Sequence, residues 1–580
     1  MTKSPKYKSK LQPILDALTP GERMCALTGR AWNMTQQEID GYRRFGLPPS
    51  RYHPETRWMI LNQFGTGYQW WWNRHWKTGE PLLSFHHPAS GFRVLPEKEW
   101  FDMDFANNKT TWDPSRSFFE QYAAMARQLP QTATGTLITP ENSIAFSSLG
   151  DKNSYFVTGS RSKNSFYSVL LLDGENSSEV WASSHISKSY QILHCERMHQ
   201  CRFARESHDC LSSSFLFDCR NSEFCFGATN KRNRKYIWMN EQLSREEYEK
   251  RLSAVDLGSR KNQAYWLSQF EALLRGKTIW PENFNENSDT STGEYLHGAT
   301  DCKFCMDFLG SAARNNWVYI GLGQSENNAF CIAVKDASDS YFCRTVVSSA
   351  NMKMCGHCVN SDSLKYCYNC YDCQDCFGCF GLRNKKYHVF NRPYEKEEYF
   401  RLIDEIKCSM LERGEYGEFF PLSLATGYVP YSWGVTFGSA TAEHLVKYGQ
   451  PLFGVCDDGA CGVEKEMKGD GMKTTDEIPD SIDEISDDWI GVPIWDPTFK
   501  RKFSFLRPEV EFYREERIAP PDRHFIRRVL EMPRVGQTIM FEDRTCEKCS
   551  KKVLTTKNLT YPDRVIYCRA CYLKYLEQYG

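Results

Sequence analysis

Four cysteines near the carboxyl terminus have the spacing of metal ligands. Cys546 and Cys549 form one Cys-x2-Cys pair, and Cys568 and Cys571 form a second pair after an interval of eighteen residues. Two turns that each carry two thiolates can enclose a tetrahedral Zn²⁺ ion when a β-hairpin brings them together. Valine, threonine and isoleucine in the interval favour the strands of such a hairpin. The sequence therefore predicts a four-cysteine zinc ribbon that holds one structural zinc ion.

A second group of cysteines leaves three chemical alternatives open. Its members are Cys355, Cys358, Cys367, Cys370, Cys373, Cys376 and Cys379. Five of them follow one another at three-residue steps, as in the ligand run of bacterial iron–sulfur ferredoxins, but without the proline that usually ends that run. The Cys355/Cys358 and Cys367/Cys370 pairs could instead hold a second zinc ion. Cys302 and Cys305 could join either metal scheme. The third alternative is a ladder of free thiols that serve as small buried side chains.

The sequence contains no motif of an enzyme active site. It has no GxSxG nucleophile elbow, P-loop, HExxH or GxGxxG pattern. A closed zinc site with four cysteine ligands has no open coordination position at which water could be activated. His75, His86 and His87 are a poor metal site because two are adjacent and no thiol accompanies them. We therefore predict no catalytic and no organic-cofactor residues.

A twelve-residue repeat organises the middle of the chain in two separate arrays. In the first, small residues recur at Ser165, Ser177, Ser189 and Cys201, before a nine-residue step to Cys210 and a further twelve to Ser222. The second runs through Asn316, Asn328, Ser340 and Met352, then at shorter steps through Ser363 and Cys373. A fixed short period is typical of stacked units that bury a face only against their neighbours. We predict a mainly β protein with short helices, in which two tandem β-solenoid-like arrays are flanked by zinc-ribbon-like end units. An antiparallel sheet with accidental periodicity is the alternative.

Internal duplications support this plan. Both arrays end in Cys-Phe-Gly, at Cys225 and at Cys379, followed by a polar segment and a Glu-Glu-Tyr helix start. A segment with Glu38, Tyr42, Pro-Pro and Arg57 has a near copy about 471 residues later, with Glu509, Tyr513, Pro-Pro and Arg527, and one inserted residue aligns the two. The first copy opens with a Thr35–Glu38 capping box, which predicts a helix that ends at Gly46.

These boundaries divide the chain into seven predicted segments. They are a degenerate ribbon-like unit with an N-terminal capping helix (1–100), a helical connector (101–149), the first array with its closing helix (150–258), a helical linker (259–299), the second array with its closing helix (300–410), an irregular and acidic linker (411–504) and the four-cysteine zinc ribbon (505–580). In the connector, Asp113 and Pro114 predict the start of a helix that ends before Pro130.

Composition limits the classes of function. The formal net charge is -1, so no global field attracts nucleic acid or membrane. No apolar run of about eighteen residues predicts a transmembrane helix, and residues 1–10 lack the apolar stretch of a signal peptide. The 24 cysteines therefore fit reduced thiols and metal sites in the cytoplasm better than disulfides.

The chain resembles a family of uncharacterised cysteine-rich zinc-ribbon repeat proteins predicted from candidate-phylum bacterial genomes. The resemblance rests on Pro48-Pro-Ser-Arg51, on 112–121 (Trp-Asp-Pro-Ser-Arg-Ser-Phe-Phe-Glu-Gln), on the two Cys-Phe-Gly array endings and on the final Cys-x2-Cys pairs. It covers most of the chain except about 410–500. Members carry further Cys-x2-Cys pairs in the amino-terminal unit, where this sequence keeps only Cys25. The resemblance implies the architecture and the zinc, but no activity.

The sequence thus predicts a non-enzymatic, cytoplasmic, zinc-binding scaffold. Its array surfaces, with their aromatic, Asn and Ser residues, would bind another macromolecule, a protein or a nucleic acid, and no membrane. One alternative is a nucleic-acid- or ribosome-associated zinc-ribbon protein, because 500–534 carries ten Lys/Arg against six Asp/Glu. A second alternative is an iron–sulfur redox protein.

Overall fold

The computed structural model describes residues 6–136, 138–276, 278–452 and 471–580. The chain is mainly β with short helices, 33% strand and 27% helix, and its parallel strands form a curled sheet. This confirms the predicted fold class at that level. So far as they are described, Met1–Gly67, Lys98–Gln131 and Asn285–Leu452 make one compact unit, and Tyr68–Glu97, Thr132–Phe284 and Phe453–Gly580 make another. The first unit contains the second array, and the second unit contains the first array.

The helices of the described residues are mostly short. They are α1 (Lys6–Asp16), α2 (Gln36–Phe45), α3 (Pro54–Gln63), α4 (Glu97–Phe101), α5 (Phe118–Ala126), α6 (Arg245–Leu252), α7 (Arg260–Gly276), α8 (Lys396–Glu412), α9 (Trp433–Thr436), α10 (Ala442–Lys447), α11 (Arg507–Glu515), α12 (Phe525–Glu531) and α13 (Arg569–Tyr579).

The strands fall into the two arrays and several short hairpins. Before the arrays lie β1 (Gly21–Met24), β2 (Ala31–Met34), β3 (Trp71–Arg74), β4 (Pro81–Ser84), β5 (Val94–Leu95) and β6 (Gln131–Thr132). The first array consists of β7 (Ile144–Phe146), β8 (Tyr155–Thr158), β9 (Arg161–Lys163), β10 (Val169–Glu175), β11 (Ser178–Ser187), β12 (Tyr190–Leu193), β13 (Glu196–His199), β14 (Arg202–Arg205), β15 (His208–Leu211), β16 (Ser214–Phe217), β17 (Phe226–Thr229), β18 (Ile237–Trp238) and β19 (Glu241–Gln242). After β20 (Ile279–Pro281), the second array consists of β21 (Gly293–Thr300), β22 (Cys305–Ala313), β23 (Asn316–Leu322), β24 (Ser325–Glu326), β25 (Ala329–Lys335), β26 (Arg344–Val347), β27 (Gly356–Val359), β28 (Gln374–Phe377), β29 (Lys386–Val389) and β30 (Arg392–Pro393). The remaining strands are β31 (Lys473–Thr474), β32 (Ile494–Asp496), β33 (Arg501–Phe503), β34 (Gln537–Thr545), β35 (Lys552–Asn558) and β36 (Val565–Tyr567).

Parallel pairing in the first array follows the twelve-residue period. Tyr190 pairs with Arg202, Arg202 with Ser214, and Ser214 with Phe226. In the same register, Cys201 N donates to Ser189 Oγ (3.0 Å), and Cys225 N donates to Ser213 Oγ (2.9 Å). The sequence predicted that the period shortens to nine residues at Cys210. That prediction is wrong, because the pairing keeps its twelve-residue step past this residue. Every third residue is buried, so Cys210 belongs to a neighbouring column of buried residues.

Left-handed backbone conformations set this three-residue spacing. From Asn164 to Met239 a positive φ recurs at every third residue, and the residue at that step is a glycine only at Gly227. A non-glycine residue in this conformation costs about 1 kcal/mol or more, and in-register hydrogen bonds along the array offset that cost. From Asn164 to Gly227, the residue that follows each of these positions is buried.

The second array has the same plan with a small irregularity. Tyr341, Lys353, Lys365 and Phe377 pair in parallel at twelve-residue steps. Earlier in the array, the pairing of Met306 with Tyr319 is a step of thirteen. Its buried column runs through Asn328, Ser340, Met352, Leu364 and Cys376, so the shortened steps predicted to Ser363 and Cys373 are wrong.

The two copies of the duplicated helical segment each pack on the array of their own unit. In one, Arg57 Nη2 donates to Tyr42 Oη (2.7 Å) and to Glu38, and its guanidinium lies 4.1 Å from the ring centre of Phe330. In the other, Tyr513 Oη donates to Glu509 Oε1 (2.9 Å), and both lie beside Arg528, which also binds Glu179 of the first array.

Arg528 is therefore the counterpart of Arg57. The sequence alignment proposed Arg527 for this role, and that assignment is wrong, because Arg527 pairs with Glu531 on the same helix instead (3.2 Å). Sequence alone could not decide between adjacent arginines, since only one of them faces the buried side of α12.

Two predicted helix starts have different outcomes. Thr35 caps α2 by accepting from Glu38 N (3.2 Å), and Gly46 ends the helix in a left-handed conformation, as predicted. In the connector, however, α5 begins at Phe118 and not at Asp113. Ser117 Oγ accepts from Glu120 N (3.4 Å) and caps α5, whereas the Asp113 carboxylate accepts from Ser115 in a tight turn.

Candidate metal centre

The four predicted cysteines come together at the end of the second unit. Cys546 follows β34, and Cys549 lies in the turn between β34 and β35. Cys568 is the N-cap of α13, and Cys571 lies in the first turn of that helix. All four Sγ atoms lie within 4.8 Å of one another, and those of Cys549 and Cys568 are 3.7 Å apart. The group can hold a metal ion.

Backbone hydrogen bonds shape the turn that carries the first pair. Cys546 N donates to Lys551 O (2.8 Å), and Ser550 N donates back to Cys546 O (2.8 Å). Ser550 has a φ of 61°, so the chain reverses there in a left-handed conformation. Glu547 N donates to Ile566 O (3.0 Å), which joins this turn to the strand before α13. We call a turn of this kind a knuckle. It follows the end of a strand, its first residue donates its N–H to the carbonyl of the sixth, and its fifth residue donates its N–H to the carbonyl of the first.

The electrostatics of the cluster suit a cation. Burial opposes ionisation of Cys546, but backbone N–H groups of Cys568, Cys549 and Lys548 favour the thiolate and lower the pKa of Cys546 to about 6. Desolvation and hydrogen bonds to the other thiols raise the pKa of Cys571 to about 12. The Cys546 thiolate is thus formed readily, and a positive ion would favour loss of the proton from Cys571 as well. Four thiolates around one ion leave no open position, so this is the chemistry of a structural site.

The cysteines of the second array have a different environment. Cys331, Cys343, Cys355, Cys367 and Cys379 form one fully buried column at twelve-residue steps. Each of the seven thiols in the predicted 355–379 cluster donates to the carbonyl oxygen two residues before it, with Sγ–O distances of 3.2–3.6 Å. Burial raises the pKa of the Cys358, Cys370 and Cys379 thiols well above the usual range. Among the described residues, only the four carboxy-terminal cysteines form a group of three or more potential ligands.

The three amino-terminal histidines have separate local roles. His75 Nδ1 accepts from Lys77 N and Thr78 N (3.2 Å each). His87 Nδ1 accepts from Ala89 N (3.1 Å), and His86 is buried, which lowers its pKa to about 3. Cys302 and Cys305 each donate to a backbone carbonyl of their own strand or turn.

The basic segment 500–534 has most of its charge paired within the second unit. Arg507 and Arg514 both pair with Asp487 (2.9 and 3.2 Å), and Arg517 pairs with Asp256 (3.0 Å). Arg523, Arg527 and Arg528 also have carboxylate partners, and Arg501 donates to the carbonyl of Trp70 (2.6 Å). The carboxylates include part of the predicted acidic linker (411–504), of which residues 453–470 lie outside the described residues. The free positive charge is therefore smaller than the residue count indicates.

In the described ranges, no helix combines the length and the apolar character needed to cross a bilayer. Comparisons of the chain with models of protein families, with curated proteins and with solved structures found no match.

Proposed function

We propose that this protein is a non-enzymatic, zinc-binding repeat scaffold. The observation that carries the proposal is the convergence of four thiols, all within 4.8 Å of one another, at the tips of a hairpin and a helix. Such a site would serve to fasten structural elements, because four thiolate ligands leave no open coordination position.

The sulfur geometry supports zinc as the ion. Zn–S bonds of about 2.3 Å in a tetrahedron separate the sulfurs by about 3.8 Å. The observed separation of 3.7 Å between Cys549 Sγ and Cys568 Sγ is close to that value. Tetrahedral iron would fit similar distances, so the identity of the metal is part of the proposal and of its test.

Zinc would fasten α13 to the end of the first array. A metal held by the four cysteines would join the β34–β35 hairpin to the N-terminus of α13, and β36, just before that helix, pairs in parallel with β20. Further along α13, Tyr572 Oη contacts Asn230 (2.9 Å) and Asp218 at the end of the array. Arg234 of the array donates to the carbonyl of Gly580 (2.6 Å). Without the metal, these contacts, the hydrogen bonds from Arg569 N to Glu282 (2.9 Å) and from Lys231 Nζ to the Tyr579 carbonyl (2.6 Å), and a three-residue strand pairing would remain to hold the helix.

The scaffold consists of the two arrays, for which we propose a four-sided β-solenoid fold. The twelve-residue parallel register and the burial of every third side chain support four sides of three residues in each turn. The second array carries an open groove of about 590 Å³ with Asp336, Ser348, Asn360 and Asp372 along it, and this face is the proposed binding surface for another macromolecule. Not every aromatic residue of the array is available on that surface, since the Trp317 ring packs against the rings of Phe330 (6.2 Å) and of Trp58 in α3 (5.3 Å).

The remaining elements of the proposal follow from the thiols. All cysteines of the described residues are free, which is typical of a reducing compartment, and we propose a cytoplasmic location. We also propose that the chain belongs with the cysteine-rich zinc-ribbon proteins that its sequence resembles.

Metal analysis of the purified full chain tests the proposal. We expect one zinc per chain in the wild type, none in Cys546→Ser, and one in the matched control Cys358→Ser, whose thiol lies in the array core. Iron in the wild type, or zinc that persists in Cys546→Ser and disappears in the control, would refute it. A salt-dependent gel shift with RNA or DNA that requires residues 500–580 would favour the nucleic-acid alternative instead.

A further inference from the structure

The knuckle at Cys546 recurs at three other places in the part of the chain that the structure describes. The other copies begin at Cys25, His75 and Asp496, each at the end of the first strand of a short antiparallel hairpin. The sequence indicated a ribbon-like unit in residues 1–100, but it gave no sign of the copy at Asp496. None of these three copies has a second thiol.

All four knuckles have the same backbone geometry. The fifth residue of each donates its N–H to the carbonyl of the first, from Gly29 to Cys25 (2.9 Å), Gly79 to His75 (2.9 Å), Lys500 to Asp496 (2.7 Å) and Ser550 to Cys546 (2.8 Å). This fifth residue has a left-handed φ in every copy, at 69°, 77°, 55° and 61° in the same order. The turn therefore forms without a second thiol.

What changes between copies is the acceptor for the inward-pointing N–H groups. In the zinc knuckle the acceptor is Cys546 Sγ. In the second copy His75 Nδ1 accepts from Lys77 N and Thr78 N, and in the third the Asp496 carboxylate accepts from Thr498 N and Phe499 N (3.0 and 2.9 Å). A ring nitrogen or a carboxylate thus satisfies donors that a thiolate satisfies at the metal centre.

The Cys25 copy matches the Cys546 site both in its knuckle and in the helix N-terminus that faces the knuckle. Ala26 N donates to Arg51 O (2.9 Å), as Glu547 N donates to Ile566 O. Each of these carbonyls lies two residues before the N-cap of a helix, which is His53 for α3 and Cys568 for α13. Thr28 and Thr56 occupy the positions that correspond to Cys549 and Cys571.

We propose that Cys25, Thr28, His53 and Thr56 form a latent metal site, in which hydrogen bonds replace a tetrahedral zinc ion. The Cys25 thiol donates to Thr56 Oγ1 (3.6 Å), so the first and fourth ligand positions are already in contact. The Thr28 side chain and the backbone of His53 also hydrogen-bond to the Cys25 sulfur. The site therefore differs from the Cys546 group in that three of its four positions lack a thiol. The inference rests on the proposed function in one respect, because it takes the arrangement of Cys546, Cys549, Cys568 and Cys571 as that of a zinc site.

The metal-free knuckle has a structural consequence in the first unit. It holds the N-terminus of α3, the helix that carries the fully buried Arg57 with its contacts to Glu38 and Tyr42. That unit is therefore fastened independently of metal supply, whereas the end of the second unit depends on it.

Restoring the thiols tests this inference. In the full chain, Thr28→Cys/His53→Cys/Thr56→Cys should bind a second zinc per chain and give four-thiolate charge-transfer and d–d absorption when loaded with Co²⁺. Adding Cys25→Ser to this variant is the matched control and should weaken or abolish the second equivalent. A folded triple variant that binds no additional ion would overturn the inference.

Two further arms keep the outcome decisive. If the loss of the His53 cap prevents folding, Thr28→Cys/Thr56→Cys retains that cap and should still bind a second Co²⁺ ion through three thiolates, and its failure to do so would overturn the inference. The same substitutions in a Cys546→Ser background separate the two proposals. If Cys546→Ser alone binds no ion and the combined variant binds one, both proposals are supported. If Cys546→Ser alone still binds an ion, the proposed function is rejected. The latent site is then supported only if the combined variant binds one ion more than Cys546→Ser.

Discussion

Thiols in two regions of this chain have opposite chemistry. At the carboxy-terminal knuckle, four sulfurs converge within 4.8 Å, and one of them, Cys549, is exposed. In the second array, a larger number of thiols is buried in a column, and each is bonded to a carbonyl of its own strand or turn. Cysteine density therefore does not make a metal site. Convergence at turn tips can make one, together with backbone N–H groups that stabilise a thiolate.

Removal of the metal should produce the largest difference between the two regions. A strong chelator should accelerate amide exchange in α13 by at least about tenfold, because the helix loses its N-terminal anchor, and should leave exchange in the second array unchanged. Hydrogen exchange with mass spectrometry on the full chain measures both. Equal acceleration in the array would mean that its thiols also hold metal.

Thiol alkylation should sharpen the contrast next. In the metal-free native protein, iodoacetamide should modify the carboxy-terminal thiols and spare those of the array, because the array thiols are buried and burial raises the pKa of Cys358 and Cys370. Zinc should protect the first group, and denaturant should expose the second. Rapid native alkylation of Cys358 or Cys370 would contradict this assignment.

Alkaline pH should weaken the first array by a smaller amount. Burial raises the pKa of the Cys201 thiol to about 12 and of the Cys219 thiol to about 11, from an ordinary value of 9.0. The folded state thus favours the protonated thiol. This contribution to stability is fully present below pH 9 and is lost as the pH rises from 9 towards 11 or 12.

Over this pH range, the free energy of unfolding should fall by about 1.4 kcal/mol per pH unit for each such thiol. Urea unfolding between pH 8 and 10.5 measures it, and Cys201→Ser should flatten the profile. The apo form of Cys549→Ser, which alters an exposed thiol, should leave the profile as it is. A pH-independent wild type would show that these thiols ionise as freely as in the unfolded chain.

Substitution of a single thiol in the array core should have the smallest effect. Cys367→Ser should cost about 1 kcal/mol, because a hydroxyl can donate to the same Lys365 carbonyl (3.4 Å from the sulfur). Cys367→Leu should cost about 1–3 kcal/mol, because the column has no space for a longer side chain. Urea unfolding with metal analysis checks both, and loss of metal in either variant would contradict a thiol ladder.

Local sequence signals predicted part of this molecule well. The Cys-x2-Cys spacing led directly to the four converging sulfurs, since each pair needs only its own turn. The period of the arrays was visible in Ser165, Ser177 and Ser189, because one column of small residues faces inward. Capping residues such as Thr35 predicted a helix start in the same local way.

Other features could not be read from the sequence for physical reasons. The three-residue backbone step was hidden because residues such as Tyr167 and Leu170, not glycine, adopt the left-handed conformation. The metal-free knuckle at Asp496 was missed because a carboxylate there accepts the bonds that a thiolate would accept. The neutralisation of the basic 500–534 segment depends on partners such as Asp256, which are distant in sequence.

X-ray absorption spectroscopy of the purified full chain tests the central claim most directly. We predict a zinc edge and a single first shell of four sulfur atoms at about 2.3 Å. An iron edge, with iron neighbours at short distance, or a zinc shell that contains nitrogen or oxygen ligands, would contradict the assignment of Cys546, Cys549, Cys568 and Cys571 as a closed structural zinc site.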